Sequence, residues 1–112
     1  MKKINIIQKK EEFSKIIKKR KGVSNKYFIL NIEQNQEDIP KFGISFVKHI
    51  GNAVTRNKLK RRTKSIIDNN KDIYHKNNKY VIIIKKEAKQ LTYQEMEKQI
   101  IDIFKKGVRN EK

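Results

Sequence analysis

The chain has 112 residues, of which 29 are Lys or Arg and 12 are Asp or Glu, giving a formal net charge of +17. That length supports one domain with one modest core. A charge so far from zero exceeds what solubility requires and repels itself without a partner, so the expected ligand is a polyanion. Hydrophobic residues make up 36% of the chain and recur periodically, which excludes a disordered basic tail. There is no Cys; a disulfide partner and a thiolate metal site are excluded, and a reducing compartment fits.

The opening MKKINIIQKKEEF carries charge but no long apolar run, so it reads as neither a secretory signal nor a membrane span. In QKKEEFSKIIKKRK, Phe13, Ile16 and Ile17 stand three and four apart, with Glu11 and Glu12 early and Lys18, Lys19 and Arg20 late. This predicts an amphipathic helix whose charges suit its macrodipole, ending near Gly22. Lys26 to Ile32 and Lys41 to Val47 are rich in aromatic and β-branched residues. Both read as strands, joined as an antiparallel connection by EQNQEDIP, which holds the single Pro.

From Ile39 to Ile67 there are eight Lys or Arg and no acid. Gly51 to Lys64 (GNAVTRNKLKRRTK) concentrates Arg56, Lys58, Lys60, Arg61, Arg62 and Lys64 in a predicted helix from about Ala53 to about Asp68. A Gly-Asn turn and two small apolar residues precede that charge, as suits a helix that must begin at a fixed place. At 100° per residue, Leu59, Thr63, Ile66 and Ile67 share one side, and Asn57, Lys58, Lys60, Arg61 and Lys64 the other. One face is expected to bind the core and the opposite face a phosphate backbone.

Asp68 to Asn78 is a polar connection with room for a helical turn near Ile73 and Tyr74. Lys79 to Ile84 (KYVIII) is a continuous apolar run, as expected of a central strand buried on both faces. Thr92 and Glu95 predict a capping box before a helix with Tyr93, Met96, Ile100, Ile103 and Phe104 on its apolar stripe, stopped at Gly107. The order α-β-β-α-β-α predicts an α+β fold, a two-layer sandwich of helices on a small mixed sheet, in one domain spanning 1–112.

No catalytic constellation is found. His49 and His75 have no carboxylate or second His at ligand spacing, so metal binding through them is not expected. Glu11 with Glu12 suits a helix N-terminus, and Glu95 belongs to a cap. No Ser-His-Asp order and no Walker loop occurs.

These residues resemble a known family, the protein component of bacterial ribonuclease P. Its signature reads basic-basic, then Gly-Asn-Ala-Val, any residue, Arg-Asn-Arg, any residue, Lys-Arg and a later Arg. Here it appears from Lys48 and His49 through Gly51, Asn52, Ala53, Val54, Arg56, Asn57, Lys58, Lys60 and Arg61 to Lys64. The likeness extends to the opening helix with Phe13, the YVIIIKKEA strand and the LTYQE helix start. The resemblance implies a cytoplasmic protein cofactor of a catalytic RNA, which together with that RNA removes the 5′ leader of precursor tRNA by hydrolysis. The chemistry and its Mg2+ belong to the RNA.

It further implies that Lys48, Asn52, Arg56, Asn57, Lys58, Lys60, Arg61 and Lys64 meet the catalytic RNA. Phe13, Ile17 and Asn31 would line a cleft for the leader, and the signature helix would make a left-handed β-α-β crossover. Lys58 and Lys64 stand where the family carries Arg; each keeps the charge and loses the planar fork. His49 stands in place of a second basic residue, and Ile17 and Asn31 stand at places often aromatic. The alternative reading of a chain this small and basic is a non-catalytic RNA-binding module such as a ribosomal or ribosome-assembly protein. A membrane-surface protein fits poorly, because the basic helix has too narrow an apolar face for lipid.

Overall fold

In the computed structural model, KYVIII occupies the position that its lack of alternation dictates. Tyr80, Val81, Ile82 and Ile84 have no exposed surface, and their strand lies inside the sheet with a neighbour on each side. The structure describes residues 5–7, 11, 14–16 and 22–109. Its elements in chain order are β1 (Gly22–Ser24), β2 (Phe28–Gln34), β3 (Lys41–Phe46), α1 (Ala53–Asn69), β4 (Asn78–Ile84) and α2 (Tyr93–Arg109). Short 3-10 turns at Lys71–Ile73 and Lys86–Gln90 flank β4, the first at the place expected near Ile73. Residues 11 and 14–16 are helical, as the opening periodicity predicts.

The sheet runs β1-β2-β4-β3. β2 pairs antiparallel with β4, Leu30 opposite Ile82, while β3 pairs parallel with β4, Ile44 opposite the same Ile82. EQNQEDIP therefore joins two strands that run in opposite directions but are not neighbours, because β4 enters between them. A parallel pair needs a long crossover, and α1 supplies it between β3 and β4.

Two pairings lie outside the predicted elements. Gly22 begins β1, pairing with Asn31, and the end of the opening helix expected near it lies outside the described residues. Ile6 bridges Phe42 on the far side of β3, and the Ile7 N–H donates to the Phe42 carbonyl at 2.9 Å. The β1–β2 turn is held by Asn25, whose Oδ1 accepts from the N–H groups of Tyr27 and Phe28, both at 2.8 Å. That is the local bond that makes Asn a turn residue.

Strand alternation divides the core. Phe28, Leu30, Phe42, Tyr80, Ile82 and Ile84 meet Leu59, Ile66 and Ile67 of α1 and Met96, Ile100, Ile103 and Phe104 of α2. Each such side chain contributes about 1.5–3 kcal/mol on full burial. Phe42, Tyr74, Tyr80 and Phe104 form an aromatic cluster, with Phe42 and Tyr80 stacked at 5.5 Å between centroids. Burial raises the Tyr74 hydroxyl above its ordinary pKa, and the Asp68 carboxylate adds to the effect. On the reverse face Val81 packs with Ile7 and Ile16. The layered α+β arrangement is the one expected.

α2 starts at the predicted capping box. The Thr92 N–H donates to Glu95 Oε1 at 2.8 Å, and the Glu95 N–H donates to Thr92 Oγ1 at 3.2 Å. Its end is not where it was expected. The helix runs through Gly107 to Arg109, and Gly107 is buried where a Cβ would lie 2.7 Å from Ile32 Cδ1 and 3.1 Å from Leu30 Cδ2. Its lack of a side chain allows α2 to approach β2 closely; it does not terminate the helix.

Candidate RNA-binding surface

α1 is fixed at its start by three consecutive residues. Ile50 is 2% exposed and anchors the incoming chain. Gly51 has φ 151°, a conformation that L side chains rarely adopt. Asn52 then caps the helix, its Oδ1 accepting the Thr55 N–H at 2.9 Å while its carbonyl accepts the Arg56 N–H at 3.0 Å. Ahead of them His49 takes a left-handed conformation, φ 62°, and the tight turn leaves Lys48 and His49 exposed between Val47 and the buried Ile50. One candidate RNA contact thus has a structural duty: the Asn52 side-chain oxygen, Oδ1, is committed to the cap.

From that start the register follows without adjustment. Leu59, Thr63, Ile66 and Ile67, the four residues predicted to face the core, are the buried residues of α1. Thr63 is tolerated there because its hydroxyl donates to the Leu59 carbonyl at 2.8 Å. Arg56, Asn57, Lys58, Lys60 and Arg61 are exposed and Lys64 is half-buried. Among the described residues none of these cations pairs with a carboxylate. The first turn of α1 contains no acid, so Arg56 stands near the positive end of the helix macrodipole with no carboxylate in that turn to offset it. Such an arrangement opposes helix stability and favours a bound anion.

Arg62 departs from the run. It is half-buried, and its Nη1 donates to the Leu91 carbonyl at 3.3 Å. Ser65 and Tyr93 share a hydrogen bond of 2.8 Å, and Asn70 Nδ2 donates to Glu97 Oε2 at 3.1 Å. This polar seam joins α1 to α2 and sets which side of α1 faces outward. Sequence periodicity places Arg62 at the edge of the basic face but cannot see α2 beside it.

The outward side forms an open groove of about 440 Å³ lined by Val54, Asn57, Lys60, Arg61 and Lys64. Val54 is 76% exposed, although GNAV reads in sequence as a helix start and nothing more. Its signal was present in the helical wheel, opposite Leu59, Thr63 and Ile66.

Of the three leader-cleft residues, Phe13 and Ile17 lie outside the described residues. Asn31 is 5% exposed and sits on β2, whose alternation turns it away from Leu30 and the layer of α1 and α2. The carboxylates offer no obvious chemistry. Among the described residues no three His, Asp or Glu side chains are grouped so as to hold a metal ion. Glu95 is held below the usual carboxylate range, first by the Thr92 N–H and then by the Thr92 hydroxyl.

A fixed helix whose outward cations pair with no carboxylate among the described residues, on a small α+β scaffold, has the character of a protein that binds a polyanion such as RNA. The comparisons narrow this. The family model described as Ribonuclease P matches residues 1–107. The ribonuclease P protein component of Bacillus cereus (strain AH187) is 37% identical over 109 residues, covering 96% of this chain and 94% of its own. Two solved structures are also similar. A Staphylococcus aureus RNase P protein mutant, described as having defective mRNA degradation activity, gives a TM-score of 0.85 at 30% identity, covering 93% of this chain and 88% of its own. The RNase P protein of Thermotoga maritima gives 0.81 at 26% identity, covering 89% and 94%.

The chain belongs to the ribonuclease P protein family. It is the protein component of a ribonucleoprotein endoribonuclease that acts in tRNA processing with a catalytic RNA.

Proposed function

We propose that this chain assists removal of the 5′ leader of precursor tRNA by docking the outward face of α1 on the catalytic RNA. Lys48, Arg56, Lys58, Lys60, Arg61 and Lys64 neutralise phosphates, and Asn57 adds an amide among them. Asn52 serves by fixing where the helix begins. The observation that carries this reading is the cationic face of α1, unpaired with any carboxylate among the described residues and held in register by its cap and by the buried quartet on the other side.

The leader passes over the reverse face of the sheet, the face that Asn31 shares, and family likeness assigns Phe13, Ile17 and Asn31 to its path. The burial of Asn31 supports a role in shaping the floor of that cleft rather than in stacking on a base. Mg2+ is held by the RNA, and the side chains of this protein bind and orient. The working place is the cytoplasm, where precursor tRNA is made, and no described helix is long and apolar enough to cross a membrane.

Reconstitution tests this. Protein plus catalytic RNA should yield mature 5′ ends from precursor tRNA, and nuclease-free protein alone should yield none. Binding of the catalytic RNA should weaken with salt by about 0.7–0.9 log units per log unit of salt for each phosphate contact. Cleavage of precursor tRNA by the protein alone, or binding indifferent to salt, overturns the reading. The same incubation with an mRNA asks whether the degradation activity named for the Staphylococcus aureus protein extends to this chain.

A further inference from the structure

The groove on α1 has a composition that a surface made only for phosphate does not need. Lys60, Arg61 and Lys64 supply charge along it, with no carboxylate in its lining. Val54 adds an apolar surface at 76% exposure, and Asn57 adds an amide with both a donor and an acceptor. A single exposed apolar residue is ordinary on a protein surface. Here it stands one helical turn from an amide and two turns from Arg61, on the same side of the helix. The groove volume of about 440 Å³ falls within the ~300–1,000 Å³ typical of small-ligand sites.

We propose that this groove receives one unpaired nucleotide of the catalytic RNA. Val54 covers the flat face of its base or ribose, Asn57 hydrogen-bonds the base edge, and Lys60, Arg61 and Lys64 hold the flanking phosphates. The proposal rests on the docking of α1 described above and adds to it a point of base recognition. A paired stretch fits this groove less well. The deep, narrow groove of an RNA helix does not admit side chains to its base edges, whereas unpaired bases in loops and bulges expose edge and face together. The leader is not the occupant, because Asn31 and the proposed leader path lie on the sheet face turned away from α1.

The test compares Val54→Ala, Asn57→Ala and Lys60→Ala with the native protein on the full-length catalytic RNA. It measures dissociation constants over a range of salt and base-by-base chemical protection, after thermal melting has established that each variant is folded. Val54→Ala and Asn57→Ala should each weaken binding about three- to tenfold, the loss of one contact of ordinary strength. Both should leave the salt dependence unchanged. One unpaired base shielded by the native protein should become reactive in both, with the rest of the footprint intact. Lys60→Ala should instead lower the salt slope by about 0.7–0.9. Native affinity and an unchanged protection pattern in both folded groove variants overturn the nucleotide site while leaving the docking of α1 standing. A salt slope unmoved by Lys60→Ala overturns the docking itself.

Discussion

Gly22 and Asn31 face each other across the β1–β2 pair so closely that a Cβ on Gly22 would lie 2.5 Å from Asn31 Oδ1 and 2.8 Å from the Leu30 carbonyl oxygen. The Asn31 amide can rotate away, but the backbone oxygen cannot move without opening the strand pair. Gly22→Ala should therefore destabilise the protein by about 1–3 kcal/mol, the usual range for overpacking. Urea unfolding measures it. Ser24→Ala, an exposed position on the same short strand, should stay within about 0.5 kcal/mol. Equal losses at the two positions would mean that the close approach of β1 to β2 has no energetic consequence.

The same contact decides what Asn31 can become. A ring at this position, attractive from sequence as a platform for leader bases, would replace a side chain that is 5% exposed and already against Gly22. Asn31→Tyr should lower the melting temperature, because the added volume has no space to enter. If it melts like the native protein and sharpens the preference for precursor over mature tRNA, the floor of the cleft is more open than its burial indicates.

How far the fold could be read from sequence depended on whether each signal was local. The cap at Asn52, the quartet from Leu59 to Ile67 and the capping box at Thr92 and Glu95 involve residues within a few positions of one another, and all three stand where expected. The central place of KYVIII was legible because a strand buried on both faces cannot alternate. Gly107 was misread as a helix stop. Its missing Cβ serves a close approach to β2, distant in sequence, and sequence alone does not distinguish that from a turn. Nor does anything in β2 or β3 indicate that β4, more than thirty residues later, enters between them. In the site the cations were legible one by one. The turning of Arg62 toward Leu91 depends on where α2 packs, which no local pattern records, whereas the exposure of Val54 was legible in the helical wheel.

Arg61 and Arg62, adjacent in sequence, should fail differently. Arg62→Ala removes the hydrogen bond from α1 to the Leu91 carbonyl just ahead of α2 and should lower stability by about 0.5–1.5 kcal/mol, leaving the salt slope of RNA binding near native. Arg61→Ala should leave the melting temperature unchanged and reduce both affinity and slope. Measuring both quantities on both variants decides the matter, and a reversal of the pattern would place Arg62 in the interface and Arg61 in the seam.

The cap of α2 carries a pH dependence. The Glu95 carboxyl is held below its ordinary value of 4.5 by bonds to Thr92, so folding favours its ionised form. Its contribution is fully present above that value and is lost as the pH falls through the lower pKa of the folded protein. Glu95→Gln keeps a side chain able to accept from the Thr92 N–H but cannot titrate. The fall in melting temperature of the native protein below about pH 4.5 should therefore be shallower in this variant. Superimposable acid profiles for the two proteins would remove Glu95 from the account.

The docking of α1 makes its most direct claim about where charge matters. Arg56, Lys60 and Arg61 are exposed on the outward face of α1, and among the described residues none of the three pairs with a carboxylate. Lys105 is equally exposed on α2, a helix that carries Asp102 and Glu97 nearby. If bulk charge held the ribonucleoprotein together, removing any one of the four cations would cost the same. If the face of α1 is the contact, Arg56→Ala, Lys60→Ala and Arg61→Ala should each weaken assembly with the catalytic RNA by about 1–3 kcal/mol, as expected for charged hydrogen bonds, and Lys105→Ala by much less. All four sites are exposed, so melting temperatures should remain near native and losses can be read as lost contacts. The measurement is the concentration of protein needed for half-maximal processing of precursor tRNA at a fixed concentration of catalytic RNA. Indistinguishable shifts for all four variants would show that the net charge of +17, and not the placement of these side chains on α1, determines assembly.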